Sequence, residues 1–155
     1  MKLSVIIPAH NEEDSIEGTV LAFHEELKIE EIPHEILAVN DNSKDDTEKI
    51  LNRLSKKVRE IRYVNNELPN GFGFAIRKGL ENYSGDVAAI VMADLSDRPI
   101  DLVKYYRAMA EGNYDAVFGS RFIKGGKTVD YPKFKLVLNR FTNGIIRILF
   151  GVRYN

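Results

Sequence analysis

The feature that most constrains this chain is an alternation. An apolar run gives way to a polar cluster, then to a segment with apolar residues at helical spacing, and the cycle repeats. Leu3–Ile7 is the first run, and its apolar character is that of a strand covered on both faces. Asn11 is expected to cap the helix that follows, with Glu12, Glu13 and Asp14 in its first turn. Ile16, Val20, Phe23 and Leu27 then share one face. His34–Asn40 reads as a second strand. Ser43-Lys44-Asp45-Asp46 has the form of a capping box, ahead of a helix lined by Thr47, Ile50, Leu54 and Val58. Ile61–Val64 is the third strand, followed by a polar turn from Asn65 to Gly71 and a helix through about Asn82. Val87–Val91 is the fourth, Pro99 starts another helix, Ala116–Phe118 belongs to a fifth strand, and 133–150 reads as a final helix. Strands separated by helices imply an α/β fold with a mostly parallel sheet and right-handed crossovers. No repeat or linker interrupts the 155 residues, so one domain is expected.

Composition narrows the classes. With no cysteine the chain has no disulfide and no thiolate metal site, which suits a reducing compartment. No segment reaches the roughly 18 apolar residues of a membrane span. Leu3–Ile7 is too short for a signal peptide, so the fold is expected to begin at once, on the cytoplasmic side. The net charge of −1 hides an asymmetry: residues 1–120 carry 14 Lys/Arg against 22 Asp/Glu, while residues 121–155 carry 8 against Asp130 alone. A basic end on an acidic body calls for an anionic partner such as a lipid surface or a phosphate. Nucleic acid is disfavoured, because no recognition-helix or aromatic-basic motif accompanies the charge.

In open α/β sheets ligands bind at the carboxyl ends of the strands. Here those ends read Pro8-Ala9-His10-Asn11-Glu12, Asn40-Asp41-Asn42-Ser43, Met92-Ala93-Asp94-Leu95-Ser96-Asp97 and Gly119-Ser120-Arg121. Asp94 and Asp97 are of the type that holds Mg²⁺ or Mn²⁺ together with substrate phosphates; Asp97 is equally placed to cap the next helix. Asp41 would accept hydrogen bonds from a base or ribose, or serve a turn. Glu12 would do either the same or favour a helix start. His10 is a candidate general base, although a lone loop histidine more often packs. His24 and His34 have no evident partners, and no zinc spacing is present. Asn70-Gly71-Phe72-Gly73 is not a dinucleotide loop, since the third glycine is missing; its glycines suit a tight turn and close backbone approach. Arg121 is the cation of the group, suited to a diphosphate, with a surface ion pair as the alternative.

These stretches in order resemble family 2 glycosyltransferases of the GT-A fold, most of all the polyprenyl-phosphate branch typified by dolichol-phosphate mannosyltransferase. The matching residues are Val5–Glu12, Val39–Ser43 with Asp46-Thr47, Asn70–Ala75, Gly85-Asp86, Met92–Pro99 and Gly119–Phe122. The resemblance implies a nucleotide-sugar pocket built from Pro8, Ala9, His10, Glu12, Asn40, Asp41, Gly73, Ala93 and Asp94. It implies Asp94, with Asp97, as metal ligand for Mg²⁺ or Mn²⁺, and Asp94 and Arg121 as catalytic. It also implies transfer of a hexose from GDP-mannose or a UDP-sugar to a polyprenyl phosphate at the cytoplasmic face of a membrane.

Three departures bear on those expectations. Met92 stands where the family has the first Asp of Asp-x-Asp, and a thioether is a poor ligand for a hard cation. Asn40 replaces the first of a usual acidic pair. The family domain continues further than 155 residues, so the chain is expected to be C-terminally truncated, and a non-catalytic nucleotide-sugar-binding module is the alternative. Transfer to a saccharide hydroxyl is another, and would need a base. A phosphoacceptor receiver domain is disfavoured by the misplaced Glu12 and Glu13. In the last helix, Phe134, Leu138, Phe141, Ile145 and Ile148 form one stripe, while Lys133, Arg140 and Arg147 recur on another face. Such a helix packs on a protein core or lies on an anionic bilayer.

Overall fold

The computed structural model describes residues 1–112, 114–119 and 132–151. They fall into two compact units, 1–115 and 116–155. In the first, the elements are β1 (Leu3–Ala9), α1 (Ile16–Ile29), β2 (His34–Asn40), α2 (Thr47–Lys57), β3 (Ile61–Asn65), α3 (Phe72–Asn82), β4 (Val87–Ile90) and α4 (Pro99–Glu111). The four strands form a parallel sheet in the order β3-β2-β1-β4. Side-chain alternation splits its core into two layers. Leu3, Val5, Ile7, Ile36 and Ala38 pack with the buried residues of α1, α2 and α4 on one face. Ile6, Leu37 and Val39 meet Ala75 of α3 on the other. The stripe read from the sequence in α1 is fully buried at Ile16, Val20, Phe23 and Leu27. Gly79 lets α3 approach closely, since a β-carbon there would stand 2.4 Å from Ile6 Cγ2.

β1 runs two residues further than expected, through Pro8. The Leu3 N–H and the Ala9 carbonyl both bond towards β2, so the alternate residue Pro8 faces the β4 side. Pairing with β4 ends at Ile6↔Ile90, and a missing N–H at Pro8 therefore breaks no ladder bond.

Two expected helix starts are corrected. Asn11 does not cap α1, which begins at Ile16. Asn11 takes a left-handed φ of 56° and instead receives the Lys44 N–H on its side-chain oxygen. The capping box at Ser43 is not formed either. α2 begins at Thr47, whose N–H and hydroxyl both bond Asp45, while the Ser43 hydroxyl accepts the Asn11 N–H. In both places tertiary contacts between the β1–α1 and β2–α2 loops win over local capping. The expected fifth strand is not formed either: Ala116–Phe118 lies outside any strand.

In the second unit, α5 (Lys133–Phe150) has the expected bounds and closes on Gly151 in the left-handed region at φ 65°. Its apolar stripe is exposed, with Phe134 at 81% and Ile148 at 82%. Among the described residues no helix is long and apolar enough to cross a membrane.

Candidate active site

The strand order defines where a ligand can sit. From β1 the chain passes to β2 on one side, while β4 lies on the other. The carboxyl ends of β1 and β4 thus flank the point where the topology reverses, the usual ligand crevice of such sheets. Its walls are the loop after β1, with Ala9, His10 and Glu12, and the loop after β4, with Ala93, Asp94 and Asp97. Backbone conformation marks the same end. Asn11, Asn42 and Leu95, in the loops after β1, β2 and β4, have φ between 56° and 57°. For Asn this is tolerable; for Leu95 it is an outlier of the kind held in place at functional sites.

The β4 loop is built around two carboxylates. Asp97 accepts the Met92 N–H at 2.9 Å, so it staples the loop and does not cap α4, whose N-cap is Arg98. Asp94 accepts the Ser96 N–H at 2.9 Å through one oxygen and is otherwise exposed. The hydrogen bonds from Ser96 hold its carboxyl below the usual range, so it is ionised at neutral pH. Ala93 is buried, and its carbonyl accepts the Thr19 hydroxyl at 2.6 Å. That anchor from α1, 74 residues away, had no local signal in the sequence.

The β1 and β2 ends are interlocked. His10 Nδ1–H donates to the Asp41 carbonyl at 2.7 Å, and His10 Nε2 accepts from the Asn11 amide at 3.1 Å. The imidazole lone pair is therefore occupied, which favours a strut over a general base. The Glu12 N–H donates to Thr47 Oγ1, and the Glu12 carboxylate accepts from Ser15, leaving its second oxygen unengaged among the described residues. Asn40 is buried and spends both ends of its amide on protein: it donates to Asn65 and accepts from the Ser43 N–H. Asp41 is 4% exposed, and its two oxygens receive Asn66 Nδ2 at 2.6 Å and the Gly71 N–H at 2.8 Å. Gly71, at φ 131°, is the glycine its turn requires. Gly73 has open space around it, so no close approach within the protein explains it. Arg121 lies outside the described residues.

A metal would find few ligands here. Among the described residues no three His, Asp or Glu side chains converge. Met92 is 41% exposed and offers only sulfur. The exposed carboxylate of Asp94 fits an ion that keeps its waters and arrives with a diphosphate, the habit of Mg²⁺ and Mn²⁺.

The opposite end of the sheet holds a second polar cluster. Glu35, 4% exposed, accepts from Ser4, from Arg62 Nε at 2.7 Å and from the Ser84 N–H at 2.6 Å. Burial pushes its pKa up, but these donors outweigh burial and hold it at about 2. A cavity of about 330 Å³ opens there beside Lys2, Arg62 and Ser84. It lies away from the strand carboxyl ends, and Glu35 and Arg62 in its wall are paired with each other. His24 and His34, without evident partners in the sequence, bond each other at 3.0 Å near this end.

Comparison with known proteins identifies the family and the fold. The profile described as Glycosyl transferase family 2 matches residues 4–153. A dolichol-phosphate mannosyltransferase of Pyrococcus furiosus is 31% identical over 140 residues, covering 90% of this chain and 39% of its own length. Glycosyltransferase AglD of Haloferax volcanii is 29% identical over 150 residues, covering 96% of this chain and 24% of its own. The chain thus spans well under half the length of these relatives. Among solved structures, mannosyl-3-phosphoglycerate synthase of Rubrobacter xylanophilus superposes with a TM-score of 0.62 at 22% identity, over 73% of this chain and 38% of that one. Glucosyl-3-phosphoglycerate synthase of Mycobacterium tuberculosis, in complex with Mn²⁺, UDP and glucosyl-3-phosphoglycerate, gives 0.61 at 23% identity, over 72% and 40%. These likenesses establish the GT-A type of α/β fold, and the profile match over nearly the whole chain establishes that it belongs to glycosyl transferase family 2.

Proposed function

We propose that this chain forms the donor-binding part of an enzyme that transfers a hexosyl group from a nucleotide-diphosphate sugar to a polyprenyl phosphate. The observation that carries the reading is Asp94: an ionised, exposed carboxylate at the topological switch point whose hydrogen bonds among the described residues come from Ser96. The nucleotide would lie along Pro8, Ala9, His10 and Glu12 and reach Asp41, with Ala93 and Asp94 against ribose and diphosphate and Gly73 leaving room beside it. Asn40 would act by holding the β2 end. Mg²⁺ or Mn²⁺, held by Asp94 with Asp97 nearby, would neutralise charge on the diphosphate. The solved relative with Mn²⁺ and UDP supports a donor and metal of this class.

In the reaction an acceptor phosphate oxygen attacks the anomeric carbon. The bond from that carbon to the β-phosphate oxygen breaks, and the nucleoside diphosphate departs with the electron pair. An anionic phosphate needs no deprotonation, which agrees with a His10 whose lone pair is engaged. Arg121 is the candidate cation for the leaving diphosphate.

The lipid acceptor is supported by the similarity to the Pyrococcus dolichol-phosphate mannosyltransferase and by α5, which carries Arg140 and Arg147 beside exposed Phe141, Ile145 and Ile148. That face suits an anionic membrane surface, on the cytoplasmic side. Met92 in place of a hard ligand favours a second reading, a binding module without turnover. Calorimetry with GDP-mannose, UDP-glucose and UDP-N-acetylglucosamine, with and without Mn²⁺, tests the donor site. Binding of at least one donor is expected, and a folded protein that binds none overturns the proposal. Turnover on polyprenyl phosphate in vesicles then separates enzyme from module.

A further inference from the structure

Asn66 lies one residue beyond β3, and its N–H continues the ladder by bonding the Asn40 carbonyl at 2.8 Å. It therefore stands at the strand carboxyl ends beside Asp41. Its amide orientation is determined by its partners. Nδ2 faces the Asp41 carboxylate at 2.6 Å and the Pro69 carbonyl at 3.3 Å, and both are acceptors. Only the NH₂ end can face them. The oxygen is thus the outward end of a half-buried side chain, and it receives no hydrogen bond among the described residues. Each Asp41 oxygen takes one hydrogen bond and keeps a second lone pair, so among the described residues Asp41 and Asn66 offer acceptors and no free donor.

From this edge we infer that Asn66 is a specificity-determining residue of the donor site, reading with Asp41 a nucleobase that offers adjacent N–H donors. The inference rests on the donor-site reading above. Among common bases, guanine presents N1–H beside its 2-amino group and matches two acceptors. Uracil presents one N–H between two carbonyls, which would face Asp41 and Asn66 oxygen to oxygen. Adenine offers an acceptor, N1, next to its amino group. An unpaired polar contact at such a site costs more than a hydrogen bond contributes, so the mismatch is penalised on both sides.

The test compares GDP, IDP and UDP by calorimetry in the presence of Mn²⁺. IDP keeps N1–H and lacks the 2-amino group, so wild-type protein should bind it roughly tenfold more weakly than GDP, the worth of about one hydrogen bond. Asn66→Ala should lose that difference while its thermal unfolding stays cooperative. A general loosening of the site would weaken all three ligands alike and leave their ratios unchanged. Equal affinity for GDP and IDP in the wild type, tighter binding of UDP than GDP, or a GDP-to-IDP ratio that persists in Asn66→Ala overturns the inference and leaves the donor site standing. Failure of all three nucleotides and of every nucleotide sugar to bind overturns both. If Asn66→Ala does not fold, equal affinity of the wild type for GDP and IDP still overturns the inference.

Discussion

The two ends of this sheet carry clusters that look alike by simple criteria. Each has a carboxylate whose pKa is held below the ordinary range, Glu35 at the amino end and Asp94 at the carboxyl end. A cavity opens at the amino end. They differ in how their hydrogen-bonding capacity is spent. Glu35 is surrounded by Ser4, Arg62 and Ser84 and is enclosed. Asp94 is exposed and takes its hydrogen bonds, among the described residues, from Ser96. A depressed pKa thus marks a carboxylate supplied with hydrogen-bond donors in both cases, and exposure separates a candidate ligand site from a brace. The strand-end rule points the same way, because backbone pairing is exhausted at the carboxyl end and the loops there are free to diverge.

Substitutions can break this contrast. The largest effect should come from Glu35→Ala, which leaves Ser4 and the Ser84 N–H without their acceptor and unpairs Arg62; a loss of about 3 kcal/mol is expected in denaturant unfolding, with donor affinity of the folded fraction unchanged. Lost donor binding without lost stability would reverse the roles of the two ends. Acid should reveal the same group. Its folded pKa of about 2 lies below the ordinary 4.5, so its contribution is complete above pH 4.5 and fades as the pH falls towards 2. That contribution is about 3 kcal/mol, and Glu35→Gln should flatten this part of the stability profile.

At the other end, Asp94→Asn should weaken Mn²⁺-dependent donor binding by about a hundredfold, while stability moves by no more than about 0.5 kcal/mol. Calorimetry and thermal unfolding on the same sample read both. The smallest effect sharpens the comparison. Met92→Asp supplies an oxygen ligand where the side chain is 41% exposed, and Mn²⁺ affinity in the presence of nucleotide should rise about tenfold. No gain would mean that Met92 does not face the ion.

Much of the core and the outline of the site were legible before any coordinates. Ile16, Val20, Phe23 and Leu27 recur at helical spacing and are buried as that spacing requires. Asp94, Glu12 and Asp41 were marked by sitting where apolar runs end. What the pattern missed is non-local. Asn11 and Ser43 have strong capping preferences, yet their groups bond across two loops 32 residues apart. Thr19 anchors Ala93, and Asn66 anchors Asp41, through contacts that no spacing announces. Ala116–Phe118 is too short for its own preference to decide a strand, since strand formation depends on a neighbour.

By itself the sequence determined the alternation of strands and helices, the buried faces, and the family of the chain, because periodicity and motif order are properties of the chain alone. Only the tertiary structure decided which polar groups have capacity left for a ligand. Hydrogen bonds are counted in space: Asn40 and His10 are engaged by partners far along the chain, while Asp94 is exposed with Ser96 as its hydrogen-bond donor and Asn66 keeps an oxygen that no described residue claims. That difference marks the carboxyl end of the sheet as the candidate site and its amino end as a foundation.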